Sequence, residues 1–142
     1  MDDFKLVSID DEPSIEDKKI MREGMLAYHT SQGHVRNQEF FSVLIKDKEA
    51  NTKGVVAVSF LWNGMHIHTL WIDESIRGKG WGRKLMSIVE EEAKKRNCNL
   101  AYTDTYSWQA PEFYEKLGYS LYAKLDDFPK GCSLSYFKKD LQ

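Results

Sequence analysis

The stretch Leu70-Trp71-Ile72-Asp73-Glu74-Ser75-Ile76-Arg77-Gly78-Lys79-Gly80-Trp81-Gly82 joins two patterns of different period. Before it, Met65 to Ile72 is apolar on both faces apart from His66, His68 and Thr69, as expected of a strand inside a sheet. After it, from Gly80 to Arg96, Trp81, Leu85, Ile88, Val89 and Ala93 recur at helical spacing. Arg83, Lys84, Glu90, Glu91, Lys94 and Lys95 fill the other face of that helix. Between the two lie three glycines in the five residues 78–82. Without side chains there, several N–H groups can point into one concavity at the positive end of the helix dipole. Arg77 adds a charge that pairs well with phosphate, so the turn reads as an anion site. Two familiar phosphate motifs do not fit. The GxxxxGK[ST] spacing is absent, and Gly80 is followed three residues on by Arg83 rather than by the glycine of a dinucleotide fingerprint. The bland alternative is a flexible strand-to-helix turn with solvated charges.

The flanking chain supplies the rest of a sheet. Phe4 to Ile9 alternates as a first strand. Pro13-Ser14 opens a helix with Ser14 as cap and Glu16 and Asp17 in its first turn. Ile20, Met21, Met25 and Tyr28 give that helix an apolar stripe, and Gly33 lies past its end. Phe40–Ile45 and Val55–Trp62 are strand-like runs parted by the polar turn Asp47–Gly54, and Asn63-Gly64 is a hairpin signal. Downstream come a strand at Leu100–Thr105 and a short helix at Ala110–Leu117 with Pro111 in its first turn. Two more strands, Tyr119–Leu125 and Cys132–Lys138, close the chain. The order β-α-β-β-β-α-β-α-β-β predicts a mixed α/β (α+β) sheet of about seven strands with helices on its faces. The crossover through the Gly80–Arg96 helix makes the strands at Met65–Ile72 and Leu100–Thr105 parallel.

Composition narrows the function. Lys plus Arg total 20 against 22 for Asp plus Glu, a net charge of -2, which gives no general attraction to nucleic acid or anionic membranes. Lys79, Arg83 and Lys84 are offset by Glu90, Glu91 and Glu92 on the same helix. The 142 residues fit one domain spanning 1–142. The N-terminus lacks the pattern of a secretory signal, and no run reaches the roughly 20 apolar residues of a membrane span. Cys98 and Cys132 have neither CxxC spacing nor a suitably placed His, so no metal is expected and both read as reduced thiols in a cytoplasmic protein.

Arg77-x-x-Gly80-x-Gly82 resembles the acyl-CoA pyrophosphate loop of the GNAT acetyltransferase superfamily. Leu70-Trp71-Ile72-Asp73 resembles the strand end that precedes that loop. Ala110-Pro111-Glu112-Phe113-Tyr114-Glu115-Lys116-Leu117-Gly118-Tyr119 is similar to the family's second signature, at the expected separation of one helix and one strand. The family commonly has Asn where this chain has Ser107, so that cofactor contact is weakened or replaced. The resemblance implies a mostly antiparallel sheet, helices on both faces and one parallel, splayed strand pair. It implies acetyl-CoA as cofactor, held by Leu70, Trp71 and Ile72 along the strand, by Arg77, Gly78, Lys79, Gly80, Trp81, Gly82 and Arg83 at the loop, and by Ser107 and Tyr114 beyond. A backbone N–H near Ile72 would polarise the thioester carbonyl.

The implied activity is transfer of an acetyl group to a primary amine of a small molecule or peptide by direct attack. Tyr114 is the candidate acid, and its alternative is a helix tyrosine that only packs. His66 and His68 are the candidate bases, since imidazole titrates near neutrality and both share a parity with Leu70 and Ile72. Asp104, Trp62 and Tyr106 are candidates for holding the acceptor, through charge and ring faces. The same fold holding acyl-CoA without turnover, as a sensor or interaction module, is the competing class. Homodimers recur in the family, so a dimer is compatible with the reading.

Overall fold

The computed structural model describes residues 3–142. The chain falls into two compact units, residues 1–36 and 37–142.

The first unit holds helix α1, Ile15–Ser31. Ser14 caps it as expected, its hydroxyl accepting from the Asp17 amide at 3.1 Å, which satisfies one of the orphan donors of the first turn. Gly33 follows in the left-handed region, φ 85°, where glycine carries no Cβ penalty. Phe4 to Ile9 is not a strand. Alternation alone does not make one; the backbone row also needs a partner ladder, and that run joins none.

The second unit is a six-stranded sheet rather than one of seven. Its strands are β1 (Glu39–Lys46), β2 (Thr52–Leu61), β3 (Gly64–Ile72), β4 (Leu100–Tyr106), β5 (Ser120–Asp126) and β6 (Ser133–Asp140). They lie in the order β1-β2-β3-β4-β6-β5, antiparallel throughout except for the parallel pair β3–β4. Two helices complete the unit, α2 (Trp81–Lys95) and α3 (Pro111–Lys116). Leu85, Met86, Val89 and Ala93 of α2 and Tyr114 of α3 meet Val56, Val58, Met65, Ile67, Ala101 and Phe137 of the sheet in one core. Ile88, expected in that stripe, is 46% exposed, and Met86 is buried instead. Glu90, expected to face solvent, accepts from Tyr119 Oη and from Lys139 Nζ, both at 2.8 Å. These bonds tie α2 to the start of β5 and to β6.

Two irregularities shape the middle of the sheet. The parallel ladder lasts three pairs, Gly64–Leu100, Met65–Ala101 and His66–Tyr102, and then the strands part. Beyond that point Thr103 Oγ1 donates to the Ile67 carbonyl at 2.9 Å, replacing main-chain pairing with a side-chain tie. On the other edge of β3 the register with β2 slips. Val58 opposes Ile67 while Ala57 opposes Thr69, so His68 is an extra, bulged residue. A bulge inverts the side-chain alternation that follows it. Leu70 and Ile72 therefore pack toward the core with Met65 and Ile67, and do not share a face with His66 and His68 as strict alternation predicts.

Candidate active site

The glycine turn after β3 is shaped by backbone conformation. Asp73 caps a single 3-10 turn, Glu74–Ile76, accepting from the amide and hydroxyl of Ser75. These bonds hold its carboxyl below the usual aspartate range. Gly78 and Gly80 then take φ of 76° and 87°. A Cβ at either would meet nothing within 4 Å, so it is the left-handed backbone that selects glycine there. Gly80 is also the N-cap of α2 and offers no side chain, so the first-turn amides of a 15-residue helix have no side-chain acceptor. Gly82 is glycine for another reason: a Cβ would stand 3.2 Å from the Phe113 ring. Close approach here brings α3 against the first turn of α2.

Three clefts run on from one another. The first, about 540 Å³, is lined by Arg77, Gly78, Gly80, Trp81, Arg83 and Lys116 among others. It shares Ile72, Arg77, Gly82 and Phe113 with a second of about 450 Å³, which adds Leu70, Trp71 and Trp108. That one shares Leu70, Gln109 and Ala110 with a third of about 310 Å³, in the gap between β3 and β4. Together they form one trough from the start of α2 into the parted strands. Arg77 is fixed along it, donating from Nε to the Ile72 carbonyl at 2.9 Å. The Lys79 side chain lines none of the three.

The third cleft passes through the sheet. On the core side is Tyr114, 5% exposed, edge-on to Phe113 and Tyr119. Burial pushes its phenol above the usual range, hydrogen bonding to Thr103 offsets part of that, and the charge of Asp104 adds to it. On the other side are His68 and Asp104. Ser59, 2% exposed, lies with Oγ 2.6 Å from His68 Nε2. His66 lies with its ring centroid 4.0 Å from His68 and stacks on Tyr102 at 4.6 Å. Burial lowers the His66 pKa, the neighbouring His68 lowers it further, and Asp104 works against both.

Other expected residues fall at various removes. Tyr106 lines the third cleft and stacks on Trp108 at 4.7 Å. Ser107 lines an adjoining pocket, and its hydroxyl accepts from the Ser133 amide at 3.2 Å, so it pins the end of β4 to β6. Trp62 stands in the β2–β3 turn with φ 52°, at the opposite end of β3 from Ile72. At about 3.3 Å per strand residue, the six positions from it to His68, where the third cleft begins, span on the order of 20 Å, and Trp62 lines none of the three clefts. Lys116 and Gln109 were not singled out by sequence reasoning. Lys116 belongs to the second signature, which was the signal available for it. Gln109 receives its place from the turn, where Oε1 accepts from the Tyr106 amide at 2.8 Å.

An anion cradle continuous with a slot between parted strands, closed by one buried phenol, suits a group-transfer enzyme whose donor is carried on a long phosphate-bearing arm. Comparison with known proteins agrees. The family model "Acetyltransferase (GNAT) family" matches residues 6–119, and the chain belongs to that family. A crystal structure of an acetyltransferase from Bacillus cereus is 32% identical, with a TM-score of 0.83, covering 94% of this chain and 97% of that one. An acetyltransferase of Agrobacterium fabrum is 26% identical over 131 residues, 92% of this chain and 96% of that protein. The blasticidin-S acetyltransferase of Streptomyces morookaense is 35% identical over 81 residues, 56% of this chain and 60% of that protein. The chain is accordingly an acyl-CoA-dependent acetyltransferase, with acetyl-CoA as the donor.

Proposed function

We propose that the acceptor is a primary amine of a small molecule or peptide, and that it attacks the donor directly in the gap between β3 and β4. The observation that carries this reading is the trough, which leads from an uncapped helix N-terminus to a gap lined by the buried Tyr114 and by His68, with His66 beside His68. In this reading the amides of Gly78–Gly82 hold the pyrophosphate at the positive end of α2, with Arg77, Arg83 and Lys116 beside it. Main-chain groups of Leu70, Trp71 and Ile72 hold the pantetheine arm, and the Trp81 and Ser107 positions border it. Bound acetyl-CoA supplies an activated thioester.

The chain's own residues manage the protons. A lysine-like amine has a pKa near 10.4, so presenting it neutral at pH 7 costs roughly 4–5 kcal/mol. His66 or His68 takes the proton from the amine nitrogen. His66 suits this because burial and its neighbour hold it neutral at physiological pH. Tyr114 keeps its proton at Oη under the same conditions and gives it to the leaving sulfur. An amide of β3 near the thioester carbonyl contributes about 3 kcal/mol of the kind an oxyanion hole supplies. Asp104 and Tyr106 border the acceptor side.

Residues 1–142 work as one acetyltransferase domain, a reading supported by a family match that runs through both compact units. The relative named as acting on blasticidin-S supports a small molecule as acceptor. Neither nucleic acid nor membrane is a partner in this reading, a homodimer is compatible with it, and the free thiols Cys98 and Cys132 favour the cytoplasm. The test pairs two measurements. Acetyl-CoA should raise the melting temperature, and thiol release should follow addition of amines. Stabilisation without turnover on any amine would leave a binding module in place of an enzyme.

A further inference from the structure

The open face of the sheet beside the reaction gap carries an aromatic ring around one carboxylate. Asp104 is exposed, and among the described residues no cation pairs with it. Tyr102 and Tyr106 stand two residues to either side of it on β4, and Tyr136 is its register partner on β6. Tyr122 reaches in from β5, its ring 6.2 Å from that of Tyr136. Burial pushes the Tyr122 phenol up, and the neighbouring Tyr102, Tyr136 and Asp104 push it further. Such a surface is electron-rich both in its ring faces and in its oxygens. The chain's own Lys138 already places its ammonium 6.0 Å from the centre of the Tyr122 ring.

We propose that this surface binds a second, non-reacting cationic group of the acceptor, so that the preferred acceptors are diamines or polyamines. The proposal rests on the acetyl-transfer reading above and specifies its acceptor. A carboxylate paired with the reacting ammonium would raise that amine's pKa and oppose its deprotonation. Paired with a different positive group on the same molecule, it contributes binding without that penalty. Ring faces favour an organic cation over a hydrated metal ion. An acceptor bearing a carboxylate at this position meets Asp104 as a like charge and is disfavoured. Lys138 already lies over the Tyr122 ring, so the acceptor's charge belongs on the Asp104 side.

The test uses the full chain and three acceptors matched in length: 1,4-diaminobutane, butylamine and 4-aminobutanoate. The kcat/KM should fall in that order, with about tenfold or more between the first two, the scale of a charge-assisted contact. Asp104→Asn should remove the advantage of the diamine over butylamine while leaving acetyl-CoA affinity as it was. Tyr136→Leu, which keeps the charge and removes a ring, should weaken inhibition by tetramethylammonium, a cation that cannot be acetylated. Direct titration of 1,4-diaminobutane, followed by intrinsic fluorescence, gives a readout independent of turnover. Binding without turnover would uphold the cation site and retire the reaction. Turnover with no preference for the diamine, or a preference that survives Asp104→Asn, would overturn the site and leave the reaction standing. Neither binding nor turnover would remove both.

Discussion

At position 114 a phenol 5% exposed keeps its proton because burial disfavours the phenolate, and phenylalanine in its place removes one oxygen and little packing. Tyr114→Phe should therefore leave cofactor stabilisation unchanged and slow turnover by about 100-fold, the lower range for a general acid. An unchanged rate would retire it as the acid. The base has a pH signature. With its pKa held below the ordinary 6.5, His66 stays neutral down to more acidic conditions. The acid limb of kcat/KM should fall below 6.5 in the native enzyme and shift or vanish in His66→Gln. If only His68→Gln moves that limb, the base is His68. Tyr114 was legible in the sequence because it stands in a signature with fixed neighbours. The relation of the two histidines to Leu70 and Ile72 was not, since a bulge depends on pairing with β2 and leaves no mark in the local alternation of β3.

Among the elements, the turn into α2 carries the sharpest expectation. Gly80→Asp adds a Cβ where φ is 87° and a negative charge beside the uncapped amides. The strain costs on the order of 1 kcal/mol, and the charge opposes a pyrophosphate directly. Acetyl-CoA should then no longer raise the melting temperature, whereas Gly80→Ala, carrying the strain alone, should retain part of the rise. Calorimetric titration of both variants checks this. Helix and strand identities were readable here because period and capping are local properties: Ser14 capped its helix, and the glycine turn fell where the period changed. Phe4–Ile9 misled because pairing is not local. Ile88 and Met86 exchanged roles because, two positions and about 200° apart, they flank the stripe on opposite edges, and which edge is buried is set by what packs against it.

For the molecule as a whole, Glu90 links α2 to two distant parts of the second unit through Tyr119 and Lys139. Glu90→Ala strands a buried phenol and a largely covered ammonium. It should cost roughly 2–3 kcal/mol in urea unfolding, in line with the loss of charge-assisted bonds. A pH effect follows from the tyrosines. Tyr114, Tyr119 and Tyr122 all have folded-state values above the ordinary 10.0, through burial first. The unfolded chain therefore loses these protons more readily. The stability they contribute is complete below about pH 10 and is lost as pH rises past it, so melting temperature should decline on that limb, less steeply in Tyr119→Phe. The supernumerary residue at His68 has a further consequence. Deleting it would restore even alternation, swing Leu70 and Ile72 to the opposite side and let β3 and β4 zip together along their length. The protein would gain a seamless sheet and lose the opening between β3 and β4 that the third cleft occupies.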